Sequence, residues 1–472
     1  MIVVAGEALI DLMPRAGESR ESPEFREFRE FRGGEAGAGE ARDGEFEAGE
    51  VRAVAQQFDA RPGGAPCNVA VGLARLGRRA CFLGRVGDDP FGRLLRQHLR
   101  EAGVDTSMVV AASEKTTLAI AALDGQGKAE YIFYANGTAD WQWTDAEVPQ
   151  SLPAVTRALY VGGLAFRFAP GATVLEGLMR RTREQGRVLV FFDPNVRTGF
   201  GFSAEAERAR VERQLTFAHV IKASEDDIAL LYPGRDYREI AAAWHESMSG
   251  LVAVTLGAGG VYALAPDGSE MHVPAAPARV VDTVGAGDAF AAAMLDRLAG
   301  EMPGAAGAGA GPGSASGPGD TTGPASAGAG LGDAAGAGAA RAGAAGAGAA
   351  GGLDGPEGAA AVPNAAAALR AITTEVLRGL FERASVSAAL TCERAGAQSP
   401  DACTLDAAME DEARRPAEDL AADPAAGTGL SSALEPGSSD GLDPGSSSEL
   451  DPGSSSRLDP GLSSGLESAS NG

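Results

Sequence analysis

Val280-Val281-Asp282-Thr283-Val284-Gly285-Ala286-Gly287-Asp288-Ala289-Phe290-Ala291-Ala292-Ala293-Met294-Leu295 is the stretch from which the rest of the chain can be read. An apolar strand end runs into small residues that let backbone approach a ligand, and a run of good helix formers follows. Unpaired N–H groups at that helix start, with the helix dipole behind them, make a site for an anion such as a phosphoryl group. Asp288 lies just inside the helix, where a carboxylate can accept a proton from a hydroxyl attacking that anion. A lone Gly-x-Gly-Asp reads as a turn with a capping aspartate; the length of this run favours the chemical reading.

On the N-terminal side of this stretch the chain alternates two periodicities. Strand-like runs lie at 2–5, 80–84, 158–161, 188–192, 219–221 and 252–255, and helical patterns at 67–77, 90–102, 170–185, 204–215 and 237–249. That alternation predicts an α/β fold, a mainly parallel sheet flanked by helices. Thr117 to Leu123, the turn Asp124-Gly125-Gln126-Gly127, and Ala129 to Tyr134 read instead as a β-hairpin standing apart, a small lid over about 116–134.

Three stretches do not fit a core. Residues 15–57 carry the triplet repeat Glu24-Phe25-Arg26, Glu27-Phe28-Arg29, Glu30-Phe31-Arg32, whose period of three would spiral its phenylalanines around a helix. Residues 301–362 are mostly Gly, Ala, Ser and Pro, with few large apolar side chains to offset ordering entropy. From 407 to 472 the chain ends in an acidic tail with an eight-residue repeat, Leu434-Glu435-Pro436-Gly437 to Leu458-Asp459-Pro460-Gly461. We expect all three to be disordered. Much of the excess of 66 glycines and 26 prolines among 472 residues sits in them. One domain over 1–406, interrupted at 15–57 and 301–362, is the expected organisation.

The net charge of −24 argues against a nucleic-acid or anionic-membrane partner, which needs a basic footprint. From Asp401 onward there are 15 acidic and 3 basic residues, so half of that charge belongs to the tail and not to a site. Cys67, Cys81, Cys392 and Cys403 lack metal-ligand spacing and read as reduced thiols. Glu7 stands where a signal peptide would be apolar, and no apolar run approaches the ~20 residues of a membrane span. The expected location is cytoplasmic.

The 280–295 stretch resembles the second signature of the ribokinase-like carbohydrate kinases, the PfkB family. Gly63-Gly64-Ala65-Pro66-Cys67-Asn68-Val69-Ala70, continuing through Leu73-Ala74-Arg75-Leu76-Gly77 and Gly84-Arg85-Val86-Gly87-Asp88-Asp89-Pro90-Phe91-Gly92, resembles the first. The resemblance implies ATP-dependent phosphorylation of a sugar hydroxyl, with ATP and Mg²⁺ as cofactors and a monovalent cation such as K⁺ as a further candidate. It implies Asp288 as base, with Gly285, Ala286 and Gly287 forming the anion hole. Asp11, Gly63, Gly64 and Asn68 match sugar-binding positions, joined by Phe133 on the lid. Asp193-Pro194-Asn195-Val196-Arg197 resembles the family's Asp-x-Asn-x-Arg segment, which places Asp193, Asn195 and Arg197 near the phosphates. Lys222 and Ser224 follow on the next strand, and Thr255, Gly257 and Gly260 match the loop beneath the nucleotide. Ser224-Glu225-Asp226-Asp227 stands where the family has Asn-x-x-Glu, so Asp227 is the candidate Mg²⁺ ligand through water, against the competing reading of a solvated helix start.

Glu130 to Tyr134 with Ala139-Asp140, and Ala389 to Ala397, look most like the fructokinase branch, although Ala135 replaces an arginine common there. Fructose is the expected substrate; 2-keto-3-deoxygluconate or a nucleoside is the alternative, and a non-catalytic scaffold derived from the same fold is a third. Lids in this family often pair between subunits, which makes a homodimer through the lid the expected assembly.

Overall fold

A computed structural model describes residues 1–14, 58–123, 129–198, 201, 203–302 and 364–414, with backbone alone at 121–123 and 129–131. All belong to one compact unit, Met1–Asp423. The segments expected to be disordered at 15–57, through most of 301–362 and beyond 414 lie outside the described residues.

In chain order the elements begin with β1 (Ile2–Ala5), β2 (Leu9–Pro14), β3 (Phe58–Gly63), α1 (Ala65–Arg75), β4 (Ala80–Leu83), β5 (Arg85–Gly87) and α2 (Pro90–Glu101). Next come β6 (Val110–Ala112), β7 (Leu118–Leu123), β8 (Ala129–Tyr134), β9 (Ala158–Gly162), α3 (Gly171–Gln185), β10 (Leu189–Asp193) and α4 (Ala204–Leu215). They continue with β11 (Val220–Ser224), α5 (Glu225–Leu231), α6 (Tyr237–Met248), β12 (Leu251–Thr255), β13 (Val261–Leu264) and β14 (Glu270–Val273). The last are α7 (Ala286–Glu301), α8 (Ala365–Arg370), α9 (Thr374–Cys392) and α10 (Ala402–Arg414).

Eight strands form the main sheet in the order β14-β13-β12-β11-β10-β9-β1-β4. The six from β12 to β4 are mutually parallel, and β13 and β14 add antiparallel at the edge. Both faces are covered, so the inner strands read as continuous apolar runs instead of alternating ones. Phe191 and Tyr160 point into one core layer with α1, α7 and α9, while Phe192 and Leu159 point into the other with α3, α4 and α6. Each such aromatic removed from water contributes about 1.5–3 kcal/mol. The mainly parallel α/β architecture expected from the sequence is the one observed.

Three features depart from the sequence expectation. The lid hairpin stands apart from the main sheet, as expected, but not alone: β7 pairs parallel with β2, and β2 pairs antiparallel with β3, giving a four-stranded sheet ordered β3-β2-β7-β8. Asp11, Arg61 and Pro62 break the apolar alternation of β2 and β3, which hid this pairing. The edge hairpin β13–β14 and the three-residue ladder β5–β6 carry too short a period to be read. Helix α10 runs to Arg414, past the expected tail start at 407; it buries Leu405 and pairs Asp406 with Arg383 at 2.6 Å.

Helix α7 is placed by small residues. Gly72 of α1 faces it so closely that a Cβ there would lie 2.9 Å from the Ala292 Cβ. On its other side Phe290 stacks on Phe381 of α9 at 6.3 Å, and Ser387 Oγ donates to the Ala289 carbonyl at 3.2 Å. This clamping fixes the α7 N-terminus beside the C-terminal ends of the parallel strands, where open α/β sheets bind ligands.

Candidate active site

Gly285 caps α7 in the left-handed conformation, φ 79°, and offers no side chain to the first-turn N–H groups. Two constraints demand glycine here: the positive φ, and Ala397, whose Cα would lie 2.7 Å from a Cβ at this position. The turn before it is braced by Asp282. One carboxylate oxygen accepts from the Val284 N–H at 3.0 Å and the other from the Gly396 N–H at 2.7 Å. The carbonyl of Cys392 accepts from Val281 N–H at 2.8 Å. Thus the loop after α9 holds the glycine turn; the Ala286 N–H donates to the Thr283 carbonyl at 3.3 Å, and the first-turn donors at Gly287 and Asp288 make the helix start a candidate anion site.

Asp288 sits in that first turn, half-buried, and its Oδ2 accepts from Asn68 Nδ2 at 2.8 Å. Burial pushes its pKa above the ordinary carboxylate value, opposed by the Asn68 hydrogen bond and by the charges of Lys222 and Arg197. Asp11, from β2, is pushed up to about 6 by burial and then by the Asp288 charge, with Arg197 opposing. Gly63 leaves room for the Asp11 carboxylate, which a Cβ there would strike, and Gly64 turns the chain at φ 98° into α1. Asp11, Gly63, Gly64, Asn68 and Asp288 therefore come together. Phe133 lies on the same face of the lid sheet, in register with Ala119, which pairs with Asp11. It packs on the apolar group of Leu9, Ala135, Trp141 and Leu164.

A second cluster adjoins the anion site from below. Asp193 ends β10 fully buried; its Oδ2 accepts from Lys222 Nζ at 3.0 Å and from the Tyr160 hydroxyl at 3.4 Å. Burial raises Asp193 to about 6, with Lys222 opposing and Asp227 adding to the rise. Lys222 is pulled down by burial, but Asp193 and Asp227 more than offset this and hold it above its usual value. Its Nζ lies 3.3 Å from where a Cβ on Gly287 would be, which puts a buried positive charge against the anion site. Asn195 takes a left-handed φ of 44° and Arg197 is exposed, its charge felt by both Asp11 and Asp288.

Ser224 and Asp227 form a reciprocal capping box on α5: Ser224 Oγ accepts from Asp227 N–H at 3.1 Å, and Asp227 Oδ2 accepts from Ser224 N–H at 2.8 Å. Asp227 Oδ1 accepts from Val196 N–H at 2.7 Å, tying α5 to the Asp193–Arg197 loop. Thr255 ends β12 in register with Ser224, and Gly257 follows it at φ 55°. Gly260, φ 88°, turns the β12–β13 hairpin against the Val273 carbonyl. These three lie along the strand edge, apart from the Asp11–Asp288 group. Asp282 as a brace was missed in the sequence, although it stands in the signature itself; its partner Gly396 is more than a hundred residues away.

A glycine-turned helix start, a carboxylate raised by burial and a lid sheet thus stand at the end of a parallel sheet, and comparison with known proteins supplies the family. A profile described as pfkB family carbohydrate kinase matches residues 40–316. The chain belongs to the pfkB family of carbohydrate kinases. Fructokinase-1 of Oryza sativa subsp. japonica is 37% identical over 255 residues, spanning 53% of this chain and 78% of that protein. A fructokinase of Klebsiella pneumoniae is 37% identical over 240 residues, spanning 50% and 77%. Among solved structures, a Xylella fastidiosa fructokinase with bound ATP superposes at a TM-score of 0.61, with 23% identity, over 87% of this chain and 98% of that one; this likeness speaks for the ribokinase-like fold. As a pfkB carbohydrate kinase the protein uses ATP, with a divalent cation, to phosphorylate a sugar. Among the described residues no helix is long and apolar enough to cross a membrane. The four cysteines are free, as expected.

Proposed function

We propose that this pfkB-family kinase phosphorylates a primary hydroxyl of fructose, with Asp288 as base. The observation that carries the mechanism is the Asp288 carboxylate, held by Asn68 in the first turn of α7 and raised by burial above its ordinary pKa, which favours proton uptake. Asp11 and Asn68 receive the sugar hydroxyls, one by accepting and the other by donating. The sugar oxygen attacks the γ-phosphorus of ATP as its proton passes to Asp288. A P–O bond forms to the sugar, and the bond to the β-phosphate oxygen breaks, leaving ADP. The amides of Gly285 to Asp288 and the Lys222 charge stabilise the transferring group. The nucleotide lies along the Asp193, Asn195, Ser224, Thr255, Gly257 and Gly260 edge.

Mg²⁺ fits this edge. Asp193 Oδ1 is a buried acceptor without a hydrogen-bond partner among the described residues, and Asp193 and Asp227 would hold the ion's water shell. Bound there, Mg²⁺ would neutralise phosphate charge during transfer. A monovalent cation such as K⁺ is a further cofactor of the proposal. Fructose is favoured over 2-keto-3-deoxygluconate and nucleosides by the two fructokinases at 37% identity. An ADP-release assay across fructose, other hexoses, 2-keto-3-deoxygluconate and nucleosides tests it: fructose should give the largest kcat/KM, and a larger value for a nucleoside would overturn the substrate assignment.

The assembly is a homodimer through the lid, in the cytoplasm, with 1–414 as the kinase domain. The lid's outer face supports this, since it exposes Phe58, Ile132 and Tyr134, the last 61% exposed. Ile132→Glu should shift the sedimentation coefficient to that of a monomer; an unchanged value would exclude this surface.

A further inference from the structure

Arg61 projects from β3 on the face of the lid sheet that looks into the site, since it stands directly opposite Asp11 in the β2–β3 ladder. Its guanidinium reaches across to the loop that follows α9, where Nη1 lies 3.3 Å from the position of a Cβ on Gly396. Gly396 donates to Asp282, the brace of the glycine turn, and its neighbour Ala397 packs against Gly285 itself. Arg61 is therefore a lid cation resting on the wall of the anion site. Among the described residues it is held loosely in that resting place: its ion pair with Asp59 is 3.8 Å long and its side chain is 47% exposed. An exposed pair of this kind is worth at most about 1 kcal/mol. The other positive charges around the site differ in this respect. Lys222 is buried and paired with Asp193 on the core side, and Arg197 belongs to the core loop after β10.

We infer that Arg61 is a catalytic residue carried by the lid: its guanidinium leaves Asp59 and hydrogen-bonds the transferring phosphoryl group when the lid meets a bound sugar. The inference rests on the kinase reading above. The guanidinium exchanges no proton; it offers a planar fork of donors to the phosphoryl oxygens as charge shifts toward the leaving ADP. Placing this cation on the lid couples the sugar to the chemistry, because ATP without sugar does not bring the lid, and hence Arg61, into place.

Arg61→Ala and Arg61→Lys in the full chain test this, assayed with fructose and ATP and with added guanidinium chloride at low millimolar concentration. Arg61→Ala should lower kcat by about tenfold to a hundredfold, with KM for ATP within about twofold of the parent. Guanidinium should restore part of that loss in the alanine variant and none in the parent, and Arg61→Lys should fall between the two. A kcat for Arg61→Ala within about twofold of the parent would overturn the assignment, as would a loss that guanidinium does not relieve, which is the mark of a structural latch. If instead the parent chain fails to phosphorylate any sugar, it is the function reading that fails.

Discussion

Asp193 and Lys222 show how this site stores charge. Their ion pair is 3.0 Å long with both side chains almost wholly buried, so each depends on the other. Removing one partner of such a pair typically costs about 3–5 kcal/mol, because the remaining charge stays buried. Lys222→Met should thus lower unfolding stability by roughly that amount in urea titrations at neutral pH, and should also lower kcat through the lost charge beside Gly287; a stability equal to the parent would contradict this account of the pair. Gly285 is decided by geometry instead. Gly285→Ala must relieve both φ 79° and the approach to Ala397, so the turn shifts. The expected result is a loss of kcat of about tenfold or more with a small stability change, since strain at one such position costs about 1–3 kcal/mol. At this scale Asp288, Asn68 and the glycines were legible because their chemistry lies within short runs. Asp282 and Arg61 were not, since what they do depends on Gly396, which only the fold brings near.

Between elements, two buried acids meet at the link from β1 to β2: Glu7 within it, and Asp140 from the segment between β8 and β9. Glu7 Oε2 accepts from Ala165 N–H at 3.1 Å, and Asp140 Oδ1 accepts from Ala8 N–H at 3.2 Å, while its Oδ2 accepts from the Thr117 hydroxyl. Glu7 fastens the base of the lid sheet to the loop after β9, and Asp140 fastens it to the segment after β8. Burial is the main cause that pushes each to about 7, against ordinary values of 4.5 and 3.8. Because the folded pKa values are raised, the unfolded chain loses these protons first as pH climbs. Stability therefore falls between about pH 4 and pH 7 and levels off above, the two acids costing nothing below the unfolded values. Denaturant midpoints across that range should show this slope, and Glu7→Gln should flatten it; a slope unchanged in the variant would remove Glu7 from the account. The strand–helix alternation made the core sheet readable, because strands covered on both faces are continuous apolar runs. The same criterion failed for β2 and β3, where Asp11, Arg61 and Pro62 interrupt the apolar alternation.

In the whole molecule, the kinase core is assembled from distant stretches: β1 and β2 from the first residues, the glycine turn near 285, and α9 with its following loop beyond 370. The family resemblance spans all three stretches, while the small and acidic residues of α10 read like the tail that follows, which hid the helix's run to Arg414. Truncation after Arg414 should leave melting temperature and turnover unchanged. Truncation after Asp406 should lower the melting temperature, since it cuts α10 just beyond the buried Leu405; equal stability of the two truncated chains would contradict this boundary.

The most direct test of the central claim is turnover of fructose by Asp288→Asn, alongside ATP affinity measured by calorimetry. Asparagine keeps the shape and a partner for Asn68 but cannot take up the hydroxyl proton, so kcat should fall by about a hundredfold or more while the ATP dissociation constant stays within about threefold. Turnover near that of the parent would contradict Asp288 as the base.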